Sequence, residues 1–274
     1  MRLKTLLGDY PVTRALKDGR VRGAVEFDFA DVKVPHTAFK RVVRDLDFDV
    51  AELSIVTYLL ARAHGKPLVL LPAVMFGRYQ HPYLVSCSEL KPKSLEGKRV
   101  AIRSVSVTTV AWIRGILADD YGVDLAKVRW VTFEDAHVAE CKDPPSAVRA
   151  PAGKTPLDML LAREVDAAVI SDPVPTDPRL RPVIADPQAA AADWKKRKGA
   201  LQINHMVVVR QGLDSIVVQE IFNLLKKSKD MGAKDEETSP FGLEANRRNL
   251  EVAIDYVYRQ GMIPHRYGVD ELFR

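Results

Sequence analysis

Short apolar runs alternate with amphipathic stretches along almost the whole chain. Leu3, Thr5 and Leu7 alternate with Arg2, Lys4 and Leu6, an imperfect two-residue period that ends at the turn Gly8-Asp9. Residues 25–29, VEFDF, read as a second strand, and Pro35 fits the first turn of a helix extending to about residue 44. Residues 48–53 form another short strand. Ser54 then N-caps the helix IVTYLLARAH, which Gly65 closes, and LVLLPAV at 68–74 is a buried strand. A second set of units follows Leu84. SLEGKRVAIRS gives a polar turn and a strand, Thr108 or Thr109 caps the helix VAWIRGILADDYG, and residues 128–133 form the next strand. Residues 143–153 hold three prolines and read as a loop. Thr155-Pro156-Leu157-Asp158 then starts a helix with a cap, a proline at its first position and an acid in its first turn. That helix leads into the strand VDAAVIS at 165–171. The last section offers the strand HMVVV at 205–209, helices over about 214–229 and 243–260, and a polar tail.

Repeated strand–helix alternation with short connections predicts open, mostly parallel sheets with helices on both faces. In such sheets ligands sit beyond the carboxyl ends of strands and against helix N-termini, so the helices starting near Ser54 and Thr108 are candidate anion sites. With 274 residues, 47% of them hydrophobic, the chain can bury two compact lobes. A net charge of +5 spread along the chain favours anionic partners but lacks the concentrated basic face of a nucleic-acid binder. Cys87 and Cys141 form no CxxC pair, so no disulfide framework or zinc knuckle is implied. MRLKTLLGDY lacks the apolar core of a signal peptide, and no stretch has the length of a membrane span. Taken as complete, the chain is expected in the cytoplasm.

Individual motifs add little alone. Gly153-Lys154-Thr155 resembles the end of a phosphate-binding loop, but Val148 stands where that loop needs glycine. Glu134, Asp135, His137, Glu140 and Cys141 have metal-like composition, yet no second His/Cys pair completes a closed site; they read as a charged edge before the proline loop. WKKRK at 194–198 reads as a solvated helix face. Asn204-His205 enters an apolar strand. Arg78 and His81, flanked by Tyr79 and Tyr83, could line a pocket for an aromatic acid.

Several segments together resemble the 4,5-dihydroxyphthalate decarboxylase family. They are Gly8-Asp9-Tyr10, the run FDVAELS at 48–54, TVAWIRGIL at 109–117 with YGVD at 121–124, NHMVVV at 204–209, PFGLEANR at 240–247 and VDELF at 269–273. The resemblance runs in order through nearly the whole chain. It departs around residues 136–153, where this chain is shorter, and at Gln80, where the family commonly has arginine.

The resemblance implies a two-lobed α/β protein with the type II periplasmic-binding-protein-like fold: open mixed sheets, helices on both faces and a hinged cleft. One lobe would comprise residues 1–83 and 205–274, the other 84–204. It also implies a cofactor-independent decarboxylase of a hydroxylated aromatic acid, 4,5-dihydroxyphthalate giving protocatechuate and carbon dioxide, with no metal, nucleic acid or membrane involved and a homo-oligomer possible. On that reading His205 and His81 are the acid–base pair, because imidazole titrates near neutral pH. Arg78 and Arg103 anchor carboxylate, Ser54 and Thr108 add hydrogen bonds from helix termini, and Asn204 joins the binding set. Glu52 and Glu244 orient a histidine or pair with nearby arginines. The competing expectation is a solute-binding or sensing protein that closes on a small aromatic or dicarboxylate anion without chemistry.

Overall fold

The structure is a computed structural model that describes residues 1–144, 146–170, 173–232 and 237–274. Its first half builds β1 (Arg2–Leu6), α1 (Pro11–Lys17), β2 (Glu26–Phe29), β3 (Val50–Ser54), α2 (Ile55–Ala63), β4 (Leu68–Gly77), β5 (Leu84–Ser86), β6 (Arg99–Ile102), α3 (Thr108–Tyr121) and β7 (Arg129–Thr132). The second half adds β8 (Val148–Arg149), α4 (Pro156–Leu161), β9 (Ala167–Val169), β10 (Arg181–Pro182), α5 (Pro187–Lys198), β11 (Ile203–Arg210), α6 (Ser215–Met231) and α7 (Leu243–Arg259). Pro145, in the expected proline loop, and Ser171, at the end of the expected strand 165–171, lie outside the described residues.

Two sheets result, in the orders β2-β1-β3-β11-β4 and β10-β5-β9-β6-β7-β8. They are mixed rather than mostly parallel. The chain leaves the first sheet after β4, and β5 enters the second antiparallel to β9; it returns as β11, antiparallel to both β3 and β4. All other neighbours except β10–β5 are parallel. The strands that enter a sheet on arriving from the other, β5 and β11, run against the βαβ units they join, and alternation in the sequence does not reveal this.

Parallel strands put their carboxyl ends on one edge of each sheet, and the two edges face a cleft of about 700 Å³. Gly8 and Tyr10 follow β1, Ser54 ends β3, Arg103 and Val107 follow β6, and His137 lies in the segment after β7. β11, running the other way, delivers Asn204 and His205 near its start.

Behind the cleft α3, α5 and α7 pack with the first sheet into one apolar cluster, while the strands of the second sheet have clusters of their own. Trp112 on α3, Trp194 on α5 and Tyr256 on α7 pack edge to face, with Trp112 Nε1 donating to the Ile203 carbonyl at 2.8 Å and Trp194 Nε1 to Tyr256 Oη at 3.1 Å. Gly115 permits this contact, because a Cβ there would lie 2.0 Å from Tyr256 Cδ2. The basic run of α5 is not simply a solvated face. Trp194 is fully buried, Arg197 bonds both carboxylate oxygens of Asp120, and Lys198 and Arg259 both reach Asp119.

Two local expectations also change. The helix expected over 35–44 is a 3₁₀ turn at Pro35–Ala38 followed by a π turn at Arg41–Asp45, wound so that Phe39, Val42 and Val43 are buried, and it ends at Leu46 with φ 51°. Val107, not Thr108 or Thr109, is the N-cap of α3.

Candidate functional site

The centre of the cleft wall is a buried carboxyl group. All five residues of β3 are buried, and Glu52 in its middle is 0% exposed. A carboxyl group so placed is tolerable only if donors surround it. The turn after β1 supplies two: Gly8 N–H donates to Oε2 at 2.9 Å and Tyr10 O–H to Oε1 at 2.6 Å. The third is His205. It stands opposite Ser54 in the β3–β11 register while Val207 stands opposite Glu52, so Glu52 and His205 are diagonal neighbours on one face. Their Nδ1···Oε1 distance is 2.5 Å. Burial, then the Glu52 charge, pushes the Tyr10 phenol far above its ordinary value, which keeps it a donor. With both carboxyl oxygens accepting, the proton in the His205–Glu52 bond belongs to Nδ1, and Nε2 is left for the cleft. Phe76 and Phe39 hold the ring edge to face, at centroid distances of 4.4 and 5.1 Å.

Two further histidines line the cleft. Arg44 donates to the carbonyls of Ala136 and His137, and Val138 enters the core around α2. This segment of the second sheet thereby brings His137 onto the first, with its Nδ1 2.8 Å from Thr57 Oγ1 on α2. Burial, with Arg103 next in weight, lowers His137 to about 3. His36 sits on the rim, held below its ordinary value by partial burial and by the Arg103 charge.

Both arginines named from the sequence line the cleft. Arg78 follows β4 with its guanidinium 4.1 Å from the centre of the Tyr83 ring. Arg103 bonds Glu134 through Nε at 2.6 Å and remains about one-third exposed to the cleft. Ser54 caps α2 by accepting from Thr57 N, and Thr108 Oγ1 accepts from Val56 N at 3.3 Å, so the two hydroxyls join the N-termini of α2 and α3 beneath the cleft floor. Asn204 is buried, with its Oδ1 accepting from Gln80 Nε2 at 2.8 Å.

Two expected residues lie elsewhere. His81 does not line the cleft: the 3₁₀ turn after β4 swings it behind the wall, fully buried against Trp194, and neither ring nitrogen has a hydrogen-bond partner among the described residues. Burial lowers it to about 4. Glu244 is exposed on α7 and bonds Arg247, on the arginine-partner alternative. The metal-like set also disperses. Glu134 bonds Arg103, Asp135 bonds Arg149, Glu140 bonds Lys66 and His137 meets Thr57, while burial pushes the Cys141 thiol up to about 11. Among the described residues no three His, Cys, Asp or Glu side chains converge as a metal site requires.

The buried imidazoles set an acid limit. His81 and His137 are neutral in the folded chain down to about 4 and about 3, whereas an unfolded histidine protonates near 6.5. Below 6.5 the unfolded chain therefore binds protons that the folded chain does not, and stability falls as pH falls, by about 1.4 kcal/mol per histidine per pH unit. Urea midpoints between pH 7 and pH 5 should drop accordingly. Equal midpoints would show that both rings become charged in the folded state.

No protein-family model matches the chain. It is similar to two proteins named 4,5-dihydroxyphthalate decarboxylase. That of Comamonas testosteroni is 29% identical over 233 residues, covering 78% of this chain and 69% of the other. That of Pseudomonas putida is 29% identical over 214 residues, covering 71% and 81%. Among solved structures, a protein from Archaeoglobus fulgidus superposes with TM-score 0.62 at 16% identity, over 96% of this chain and 98% of its own. The periplasmic aliphatic sulphonate binding protein of Escherichia coli superposes with TM-score 0.60 at 12% identity, over 99% and 97%. The fold is that of the periplasmic solute-binding proteins. No helix among the described residues is long and apolar enough to cross a membrane.

Proposed function

We propose that the protein decarboxylates a hydroxylated aromatic acid, with 4,5-dihydroxyphthalate giving protocatechuate and carbon dioxide as the leading case, and that it uses no metal or organic cofactor. The observation that carries this reading is the buried Glu52 behind His205. In a protein that only captured an anion the carboxyl group could do no more than orient the ring as a donor, while its own charge worked against the ligand. A protein that must make and unmake an imidazolium gains directly, since the carboxyl group fixes the ring and stabilises its charged form. The two decarboxylase relatives point the same way.

The reaction needs one proton at the ring carbon that bears the leaving carboxylate, and electron density pushed there from the para hydroxyl. Hydroxyl and carbon lie on opposite sides of the ring, so one imidazole cannot serve both. In this scheme His36, on the rim of the cleft, takes the hydroxyl proton. Protonated His205 delivers its Nε2 proton to the ring carbon, forming a C–H bond and a dienone. The C–C bond then breaks, its electron pair restores the aromatic ring as a phenolate, carbon dioxide leaves, and His36 returns its proton to the oxygen. One solvent proton reloads His205. Arg78 and Arg103 hold the anion in place.

Carbon dioxide release from a panel of hydroxybenzoates and phthalates, measured alongside binding, tests the reading. Release from a hydroxylated phthalate should continue unchanged in excess chelator. Activity only with added divalent ion would overturn the acid–base scheme. Tight binding of a panel member with no turnover of any would leave a solute-binding protein, the use made of this fold by the sulphonate binding protein.

A further inference from the structure

We infer that His137 is a fixed, uncharged hydrogen-bond donor that recognises the non-reacting carboxylate of the aromatic acid, and that Thr57 sets it in that state. The inference rests on the decarboxylase reading for its ligand, but its structural part stands on a chain of hydroxyl groups. Ser54 Oγ accepts from Thr57 N at 3.3 Å as the cap of α2, and its own proton goes to Thr57 Oγ1 at 2.7 Å. Thr57 Oγ1 has then accepted a hydrogen bond and has its single proton left for His137 Nδ1, 2.8 Å away. A neutral ring whose Nδ1 accepts must carry its proton on Nε2, and His137 is one of the residues that line the cleft.

The surroundings hold the ring neutral as well as oriented. Besides burial, the charges of Arg103, Lys40, His36 and His205 weigh against a proton on it, Arg103 being itself paired with Glu134 at 2.6 Å, and Phe39 packs edge to face against it at 5.5 Å. Among the described residues no carboxyl group hydrogen-bonds this ring as Glu52 does His205. The two imidazoles flank the same phenyl ring with different partners: a carboxyl group backs His205 and a threonine hydroxyl meets His137. A neutral N–H beside Arg103 suits a carboxylate that must be held throughout the reaction without receiving a proton. Such a contact acts equally on ground and transition states, so its loss appears in affinity and not in turnover at saturation.

Two measurements test this, neither requiring turnover. In nitrogen-15 spectra of histidine-labelled protein, the His137 resonances, assigned by their absence from His137→Phe, should show a protonated Nε2 and an unprotonated Nδ1, unchanged from pH 5.5 to 8.5. A proton on Nδ1, or titration within that range, overturns the inference. The second measurement compares protocatechuate, which keeps the non-reacting carboxylate, with catechol, which lacks it. His137→Phe should weaken protocatechuate about 10- to 100-fold, as expected for a lost hydrogen bond to a charged group, and leave catechol within a few-fold. Equal effects on both ligands, or protocatechuate failing to bind the unaltered protein, overturn the assignment. Should His137→Phe fail to fold, Thr57→Val keeps the test open: it removes the hydroxyl at constant shape and should introduce the Nδ1–H form and weaken protocatechuate selectively. An unchanged His137 tautomer in Thr57→Val would count against the role of Thr57. Absence of carbon dioxide release from the unaltered protein would remove the reaction and leave the imidazole result intact, so the two failures are distinguishable.

Discussion

Replacing His205 by glutamine is expected to lower the turnover number by about 100-fold or more, the usual loss on removing a general acid or base. Protocatechuate affinity should change only a few-fold, because glutamine has similar reach, hydrogen-bonds Glu52 through its amide and leaves the neighbouring cations in place. The melting temperature should move little, since His205 lies on the cleft wall and its pairing in β11 is made by backbone. Three measurements on one preparation separate the roles open to this residue. An anchor would lose affinity while keeping turnover at saturation. A core histidine would lose stability while keeping activity per folded molecule. Either result would remove His205 from the chemistry and, with it, the reason for a carboxyl group at position 52.

The parts of this site legible in the sequence are those set by local rules. Ser54 was readable as an N-cap because an apolar helical run starts directly after it, and His205 stood out as a polar ring opening the run MVVV. Arg78 and Arg103 were expected at the site, and both line the cleft. What local rules do not reveal is where a side chain goes once the chain has turned. His81 and His137 each follow a strand and precede a loop, and their neighbourhoods look equally suggestive in sequence. His81 turns back onto Trp194, whereas Arg44, 93 positions earlier, draws the His137 segment across onto the other sheet. Tyr10 was missed for the same reason. Its partner lies 42 positions away, and only the β1–β3 pairing brings the turn after β1 over Glu52. The antiparallel return of β11 was likewise invisible, and without it Glu52 and His205 would not share a face.

Glu52→Gln should damage both stability and turnover, and the combination distinguishes a working carboxyl group from a merely structural one. Glu52 is surrounded by three donors: Gly8 N–H on one oxygen, Tyr10 O–H and His205 Nδ1 on the other. An amide has one accepting oxygen and one donating nitrogen, so in either orientation its NH₂ faces a donor in a fully buried place. If the oxygen stays with Tyr10 and His205, the NH₂ meets Gly8 N–H; if it flips, the NH₂ meets the phenol and the imidazole. The cost of such a mismatch is about 2 kcal/mol, which for a chain of this size lowers the melting temperature by on the order of 5 °C. Turnover should fall by about 100-fold or more, because imidazolium at position 205 loses its counter-charge and the flipped amide would favour the wrong tautomer. Tyr10→Phe provides the internal comparison. It removes one donor and leaves the carboxyl group with two, so it should cost about 1 kcal/mol and only a small part of the turnover. Were Glu52→Gln to lose stability with full turnover per folded molecule, the carboxyl group would be a structural hub and His205 would act without it. Equal loss of turnover in Glu52→Gln and Tyr10→Phe would mean instead that the whole hydrogen-bonded set, not the charge, positions the ring.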